Sequence, residues 1–242
     1  MAATNPSEFE IVQLPSSQLD SSIDAQAIVR SYRAFRLSSL KSDPDAFAST
    51  YLEECKESDD FWRARLANPK ALLFIAVPPK SDRTSSSNWL GMVSLLGPKG
   101  DDGMHKISAN ASPWSSISQP EKQGGELRHG NEQDVKKMTL VSFHVVGTYT
   151  TPSARRRGIG AALFQYALRH AETVCRQSGG EELECTLYVD ADNAPAVRLY
   201  EDRGFKKVEE MMYKPKPVES GERKEKLAWK MVMQKSILLK VV

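Results

Sequence analysis

Cysteine is scarce in this 242-residue chain: Cys55, Cys175 and Cys185 are widely spaced, odd in number and in no C-x-x-C arrangement. That scarcity excludes a disulfide scaffold and a cysteine-built metal site, and no metal is expected. It fits free thiols in a reducing compartment, so a cytoplasmic location is expected, with the nucleus left open. Long hydrophobic runs are missing too. None approaches the ~18 residues a membrane helix needs, and Met1 to Ser7 lacks the basic-then-apolar pattern of a signal peptide, so no membrane partner is expected. A surplus of one charge is also lacking: 33 Lys+Arg against 31 Asp+Glu leave a formal +2. A phosphate-backbone partner needs a basic surplus, so nucleic acid is disfavoured. What remains is a chain with 40% hydrophobic and 26% charged residues, the balance of a globular protein with a core.

The pattern along the chain alternates strands and helices. Phe9 to Leu14 reads as a short strand closed by Pro15. Between Asp24 and Leu40, Ile28, Tyr32 and Phe35 form a helical stripe, broken at Asp43-Pro44. A second helical stretch carries Phe47, Tyr51 and Cys55, then Phe61, Trp62 and Leu66. Ala71 to Val77 and Trp89 to Leu96 read as strands joined by a Ser/Asp-rich hairpin loop. From Gly97 to about Lys137 large apolar residues become rare, which predicts a mobile insertion between the third and fourth strands. Periodicity then resumes: a strand over Leu140–Thr150, a helix over Ile159–Arg176 and a strand over Leu183–Val189. A short helix over Ala194–Arg203 and strands around Val208–Tyr213 and Leu227–Gln234 follow, with residues 235–242 as a tail. The reading is mixed α/β, in one domain spanning residues 1–242.

The stretch PSARRRGIGA, Pro152 to Ala161, stands between an apolar strand and an amphipathic helix. Gly158 and Gly160 remove side chains where the chain enters the first helical turn, so the exposed N–H groups can approach an anion and the macrodipole favours negative charge there. Arg155, Arg156 and Arg157 add three cations, and a pyrophosphate suits such a turn. No Gly-Lys-Ser/Thr follows, which excludes a Walker A loop, and two glycines rather than three make a poor dinucleotide fingerprint. Taken alone, the turn reads more readily as a tight connection with a solvated basic surface.

Downstream lies DADNAPAVRLYEDRGF, Asp190 to Phe205. Together the two stretches resemble the GNAT superfamily of acetyl-CoA-dependent N-acetyltransferases. The family's [Gln/Arg]-x-x-Gly-x-[Gly/Ala] is matched by Arg155, Gly158 and Gly160. Its Asn, then Tyr seven residues later, then Gly-Phe, is matched by Asn193, Tyr200, Gly204 and Phe205. FRLSSLKSDPDAFASTYLEE also resembles the first-helix region of many members. The resemblance implies a GNAT fold: a central mixed, mostly antiparallel sheet flanked by helices, with the fourth and fifth strands splayed. Acetyl-CoA would lie in that gap as co-substrate. Thr148, Tyr149 and Thr150 would contribute fourth-strand backbone to the pantetheine, and Arg155, Arg156, Arg157, Gly158, Ile159, Gly160 and Ala161 would form the pyrophosphate turn. Asn193 would reach the cofactor as well as cap its helix.

The implied reaction is direct attack of an amine on the thioester in a ternary complex, which makes the chain an acyltransferase. An ammonium with a reference pKa near ~10 must lose a proton, and the thiolate must leave. Tyr200 matches the family's usual acid, though a core aromatic would occupy the same helix face. His144 stands where the histone-type branch carries its fourth-strand Glu; a His near ~6.5 is a competent base, and a buried structural histidine is the alternative. Tyr188 replaces another branch's fifth-strand Glu, leaving Asp190 and Glu184 in reserve. His105 and His129 are expected in solvent, and His170 on a helix surface. Trp229, Met231 and Met233 alternate as core positions, and Cys185 reads as packing rather than nucleophile. The acceptor is an amine, on a small molecule by slight preference or on a protein N-terminus or lysine; a non-catalytic acyl-CoA-binding module is the remaining alternative. A monomer or homodimer is expected.

Overall fold

The computed structural model describes residues 8–15, 23–99, 114, 140–217, 221 and 224–237. One seven-stranded sheet runs through them. The chain order is β1 (Glu10–Gln13), α1 (Ile23–Ser42), α2 (Tyr51–Glu54), α3 (Asp59–Ala67), β2 (Ala71–Val77), β3 (Gly91–Lys99) and β4 (Leu140–Thr150). It continues with α4 (Ile159–Gln177), β5 (Glu182–Asp190), α5 (Ala194–Glu201), β6 (Lys206–Tyr213) and β7 (Lys226–Ser236). The strand order is β1-β2-β3-β4-β5-β7-β6, antiparallel throughout except for the parallel β4–β5 pair.

Two apolar layers clamp the sheet. On one face α4 buries Leu163, Phe164, Ala167, Leu168, Ala171 and Cys175 against β3, β4 and β5, with Val197, Tyr200 and Phe205 completing that cluster. On the other, α1 and α3 pack Tyr32, Phe35, Trp62 and Leu66 against Leu73, Ile75, Val77 and Met92. β2 is buried at every position, as expected of a central strand covered on both sides. Met231 and Met233 lie in the first cluster with Trp229 packed against it, which is their expected core role.

Several boundaries differ from the sequence reading. β3 continues to Lys99 because Gly97 and Lys70 share a backbone hydrogen bond of 2.8 Å and Lys99 pairs with Ser142 on β4. Residues 97–99 therefore belong to the sheet rather than to the expected 97–137 insertion, and the rest of that stretch, Trp114 apart, lies outside the described residues. β7 likewise runs to Ser236 and Ile237 is buried, so residues 235–237 are not tail; 238–242 lie outside the described residues.

The parallel β4–β5 register ends at His144↔Thr186, although β4 continues for six more residues and β5 for four. β4 is also irregular. Between Met92↔Tyr149 and Ser94↔Val146, two steps on β3 are matched by three on β4, and Gly147 sits at φ +63° within that shift. This is a β-bulge, which reverses the side-chain alternation beyond it. Phe143 and Val145 face the α4 layer, yet Tyr149 packs in the α1 layer. The strands thus part where one of them changes face.

Candidate active site

The cleft between the parted strands opens into a cavity of about 220 Å³. Thr148, Asn193, Ala196 and Tyr200 line it from the β4 and α5 side; Tyr32, Arg36 and Phe47 line it from the α1 side; His144, Tyr188 and Tyr213 contribute from the strands. Tyr200, His144, Thr148 and Asn193, distant in sequence, therefore share one cavity. Tyr149 does not: its side chain is buried on the opposite face, where the hydroxyl donates to Asp43 at 3.1 Å.

Tyr200 lies in the last turn of α5 and packs at a tilt against Phe164 (5.0 Å between centroids) and Phe205 (6.2 Å). Burial raises its phenol above the usual value, against a smaller opposing effect of a hydrogen bond with the Thr148 side chain. It stays protonated through neutral pH. The bulge makes that hydrogen bond possible: without the extra residue, Thr148 would share the face of His144 rather than that of Tyr200. Asn193 is an actual helix cap, its side chain accepting from the Ala196 N–H at 3.3 Å.

His144 is 2% exposed, with Nδ1 2.8 Å from Thr186 Oγ1 and its ring 5.5 Å from that of Tyr188. Desolvation, helped by the charges of Lys99 and Lys230, lowers its pKa to about 3. The imidazole is thus held well below the ordinary ~6.5 of a histidine. Burial among cations keeps this imidazole neutral but makes it a poor place to leave a proton. Glu184 is buried and accepts from Gln234 at 2.9 Å, and Asp190 accepts from the Tyr213 hydroxyl at 2.5 Å and from Lys226 at 2.9 Å. Both reserve carboxylates are committed to neighbours. His170 is half-buried with its ring 5.4 Å from Phe74; His105 and His129 lie outside the described residues. Cys185 is fully buried and its thiol is pushed far up by burial, so it packs.

The turn before α4 separates its three arginines. Arg155 donates to the Thr150 carbonyl at 3.2 Å and to Asp43 at 2.7 Å, closing the turn onto the end of α1. Burial would raise the Asp43 carboxyl, but the hydrogen bonds from Arg155 and Ser42 outweigh that and hold it low. Arg157 pairs with Glu8 at 2.9 Å. Arg156, at φ +64°, makes no ion pair among the described residues. Gly158 caps α4 at φ +77°, and a Cβ built there would meet nothing within 4 Å. The first-turn N–H groups of α4 have no intrahelical partner by geometry and open onto that clear space, which fits a diphosphate. Sequence reasoning missed the bulge at Gly147, although an isolated glycine inside a strand pattern is its signal. It also missed Asp43 and Thr186, whose roles depend on contacts across 112 and 42 residues.

A parted parallel strand pair, a bulge on the fourth strand, an anion-binding helix entry and a buried tyrosine are joined in one cleft, and residues 139–205 match the Acetyltransferase (GNAT) family. Over that stretch the chain is similar to the family. Among curated proteins, it is 42% identical over 72 residues to the mycothiol acetyltransferase of Mycolicibacterium gilvum (strain PYR-GCK), covering 29% of this chain and 22% of that one. The chain thus spans about a quarter or less of that relative's length. Among solved structures, spermidine N-acetyltransferase from Vibrio cholerae, bound to CoA and spermine, superposes with a TM-score of 0.55 at 13% identity, over 96% of this chain and 98% of that one. NAA60 of Arabidopsis thaliana, with a bisubstrate analogue, gives 0.53 at 14%, over 94% and 100%. At such identities these structures share the fold alone.

Proposed function

We propose that this chain transfers the acetyl group of acetyl-CoA to an amine by direct attack, a small-molecule amine being the favoured acceptor. The observation that carries this reading is the placement of Tyr200, Thr148 and Asn193 in one cavity at the point where β4 and β5 part. The family match and the relatives named above support it: two of them carry N-acetyltransferase or acetyltransferase names, one naming mycothiol and the other spermidine.

In this reading acetyl-CoA supplies an activated acyl carbonyl and a thiolate leaving group. The first-turn amides of α4, with Gly158, Gly160 and the unpaired Arg156, hold its diphosphate. The β4 edge from Val145 to Thr150, freed from β5, offers backbone hydrogen bonds to the pantetheine arm. Tyr200, neutral at physiological pH, donates its proton toward the departing sulfur. Arg155 acts from behind, fixing the turn to Asp43.

His144 accepts a hydrogen bond rather than storing a proton. Moving a proton from an ammonium near ~10 to a group at about 3 is uphill by roughly 9–10 kcal/mol. The Thr186 hydroxyl lies 3.5 Å from the Phe143 carbonyl. If it donates there, Nδ1–H donates to Thr186 and Nε2 keeps its lone pair for the incoming amine or a water beside it. The amine's proton then leaves to solvent.

Replacing Tyr200 by Phe tests the assignment. We expect kcat to fall by roughly 10²-fold or more, the usual scale for a positioned acid, with acetyl-CoA affinity by calorimetry within about twofold of the parent. Equal turnover by the variant would remove Tyr200 from the chemistry.

A further inference from the structure

The acceptor end of the cavity has a wall chemistry that selects among amines, a point that rests on the acetyltransferase reading above. Arg36 is its one lysine or arginine and Asp190 its one carboxylate, among the described residues. Both are occupied. Arg36 donates twice to Glu54, at 3.0 and 2.9 Å, and Arg65 reaches the same carboxylate at 3.4 Å. Two guanidiniums thus share one buried acid. Burial alone would raise the Glu54 carboxyl, but the Arg36 charge and hydrogen bonds hold it below the usual range. Asp190 is held by Tyr213 and Lys226. No carboxylate of this wall is left to receive a second or third ammonium, and the balance of the pair around Glu54 is positive.

Much of the rest of the wall is aromatic and thioether surface, interrupted by Ser49, Ser94, Thr148 and Asn193. Phe47 lies under the Arg36 guanidinium at 4.6 Å, and Trp114 lies against Arg65 at 4.7 Å. Tyr32, Met92 and Met211 also line it. Stacking Phe47 and Trp114 on guanidiniums fixes their ring planes, so they present preformed apolar faces. A polyamine would bring charges next to Arg36. The space, about 220 Å³, is below the roughly 300–1,000 Å³ of drug-sized sites. We infer that the acceptor is a small primary monoamine carrying an aromatic body, whose ring packs between Phe47 and Trp114 while its nitrogen points toward His144 and Tyr200.

The test measures both binding and turnover. Phenethylamine, tryptamine, propylamine, spermidine and a tetrapeptide with a free N-terminus are titrated into the CoA-loaded protein by calorimetry, and the same amines are assayed for acetylation. The aromatic monoamines should bind and turn over at least tenfold better than spermidine or the tetrapeptide. Trp114→Ala, and independently Phe47→Ala, should lower kcat/KM for tryptamine about tenfold while changing that for propylamine less than threefold. Aromatic amines that bind with this preference but receive no acetyl group would support the inference and refute the acetyltransferase reading. Spermidine or the peptide matching the aromatic amines, no binding by any amine, or indifference of tryptamine to both variants would overturn the inference.

Discussion

At the scale of single residues, environment decides chemistry more than residue type does. His144 and Tyr200 both face the cleft, and burial moves both in the direction of the neutral form: the imidazole downward to about 3, the phenol upward. For Tyr200 neutrality is useful, since the proton stays available for a leaving group. For His144 it defines an acceptor, and it links stability to pH. Because the folded imidazole titrates near 3 while an unfolded one titrates near ~6.5, the unfolded chain binds the extra proton between those values. Stability is complete above about pH 6.5 and falls as pH drops toward 3, by up to about 1.4 kcal/mol per pH unit from this residue. Urea titrations between pH 7 and 4 should show the His144→Gln variant losing stability less steeply than the parent. Parallel curves would show that His144 is not held neutral by the fold. The arginines make the same point on the surface. Arg155 and Arg157 look alike in the sequence, but both are tied to carboxylates, and such exposed pairs contribute only about 0–1 kcal/mol. Their value is in shaping a turn.

At the scale of elements, β4 shapes the cleft. Its first half is an ordinary interior strand between β3 and β5; its second half is released from β5 and flipped by the bulge. Gly147 makes that flip cheap, since its φ of +63° costs a side-chain-bearing residue about 1–2 kcal/mol. A Cβ there would find only Ser94 Oγ, at 4.0 Å, so backbone strain and not crowding is the penalty. Gly147→Ala should therefore lower the unfolding free energy by about 1–2 kcal/mol and weaken acetyl-CoA binding at least several-fold, read by urea midpoint and calorimetry. If both stay at parental values, the bulge does not position the cleft. The elements themselves were largely legible beforehand. Helices α1 and α4, and strands β2, β4 and β5, fall within a few residues of their sequence boundaries, because each buries a regular stripe of apolar side chains. β3 ran past its expected end because Gly97 and Pro98 read as loop residues, while pairing with β4 and with Lys70 overrode that local preference.

At the scale of the whole molecule, the near-zero net charge hides a separation of roles. Cations gather at the entry to α4, while the acceptor end of the cleft is aromatic with its few charges paired. The Asn193–Tyr200 spacing and the Arg155–Gly160 turn were readable in sequence because they are local. The wall of the acceptor site was not readable, since it unites Arg36, Phe47, Trp114 and Asp190 from segments that only the sheet brings together. The proposed cofactor end is built from contiguous motifs, and the proposed acceptor end from distant ones. The proposed reaction is acetyl transfer from acetyl-CoA to an amine at this cleft. It is tested most directly by following thiol release from acetyl-CoA, with and without a primary amine, while weighing amine and protein by mass spectrometry. Direct transfer predicts amine-dependent release of one thiol for each acetylated amine formed, with the protein's mass unchanged. Tight CoA binding without acetylation of any amine offered would contradict it.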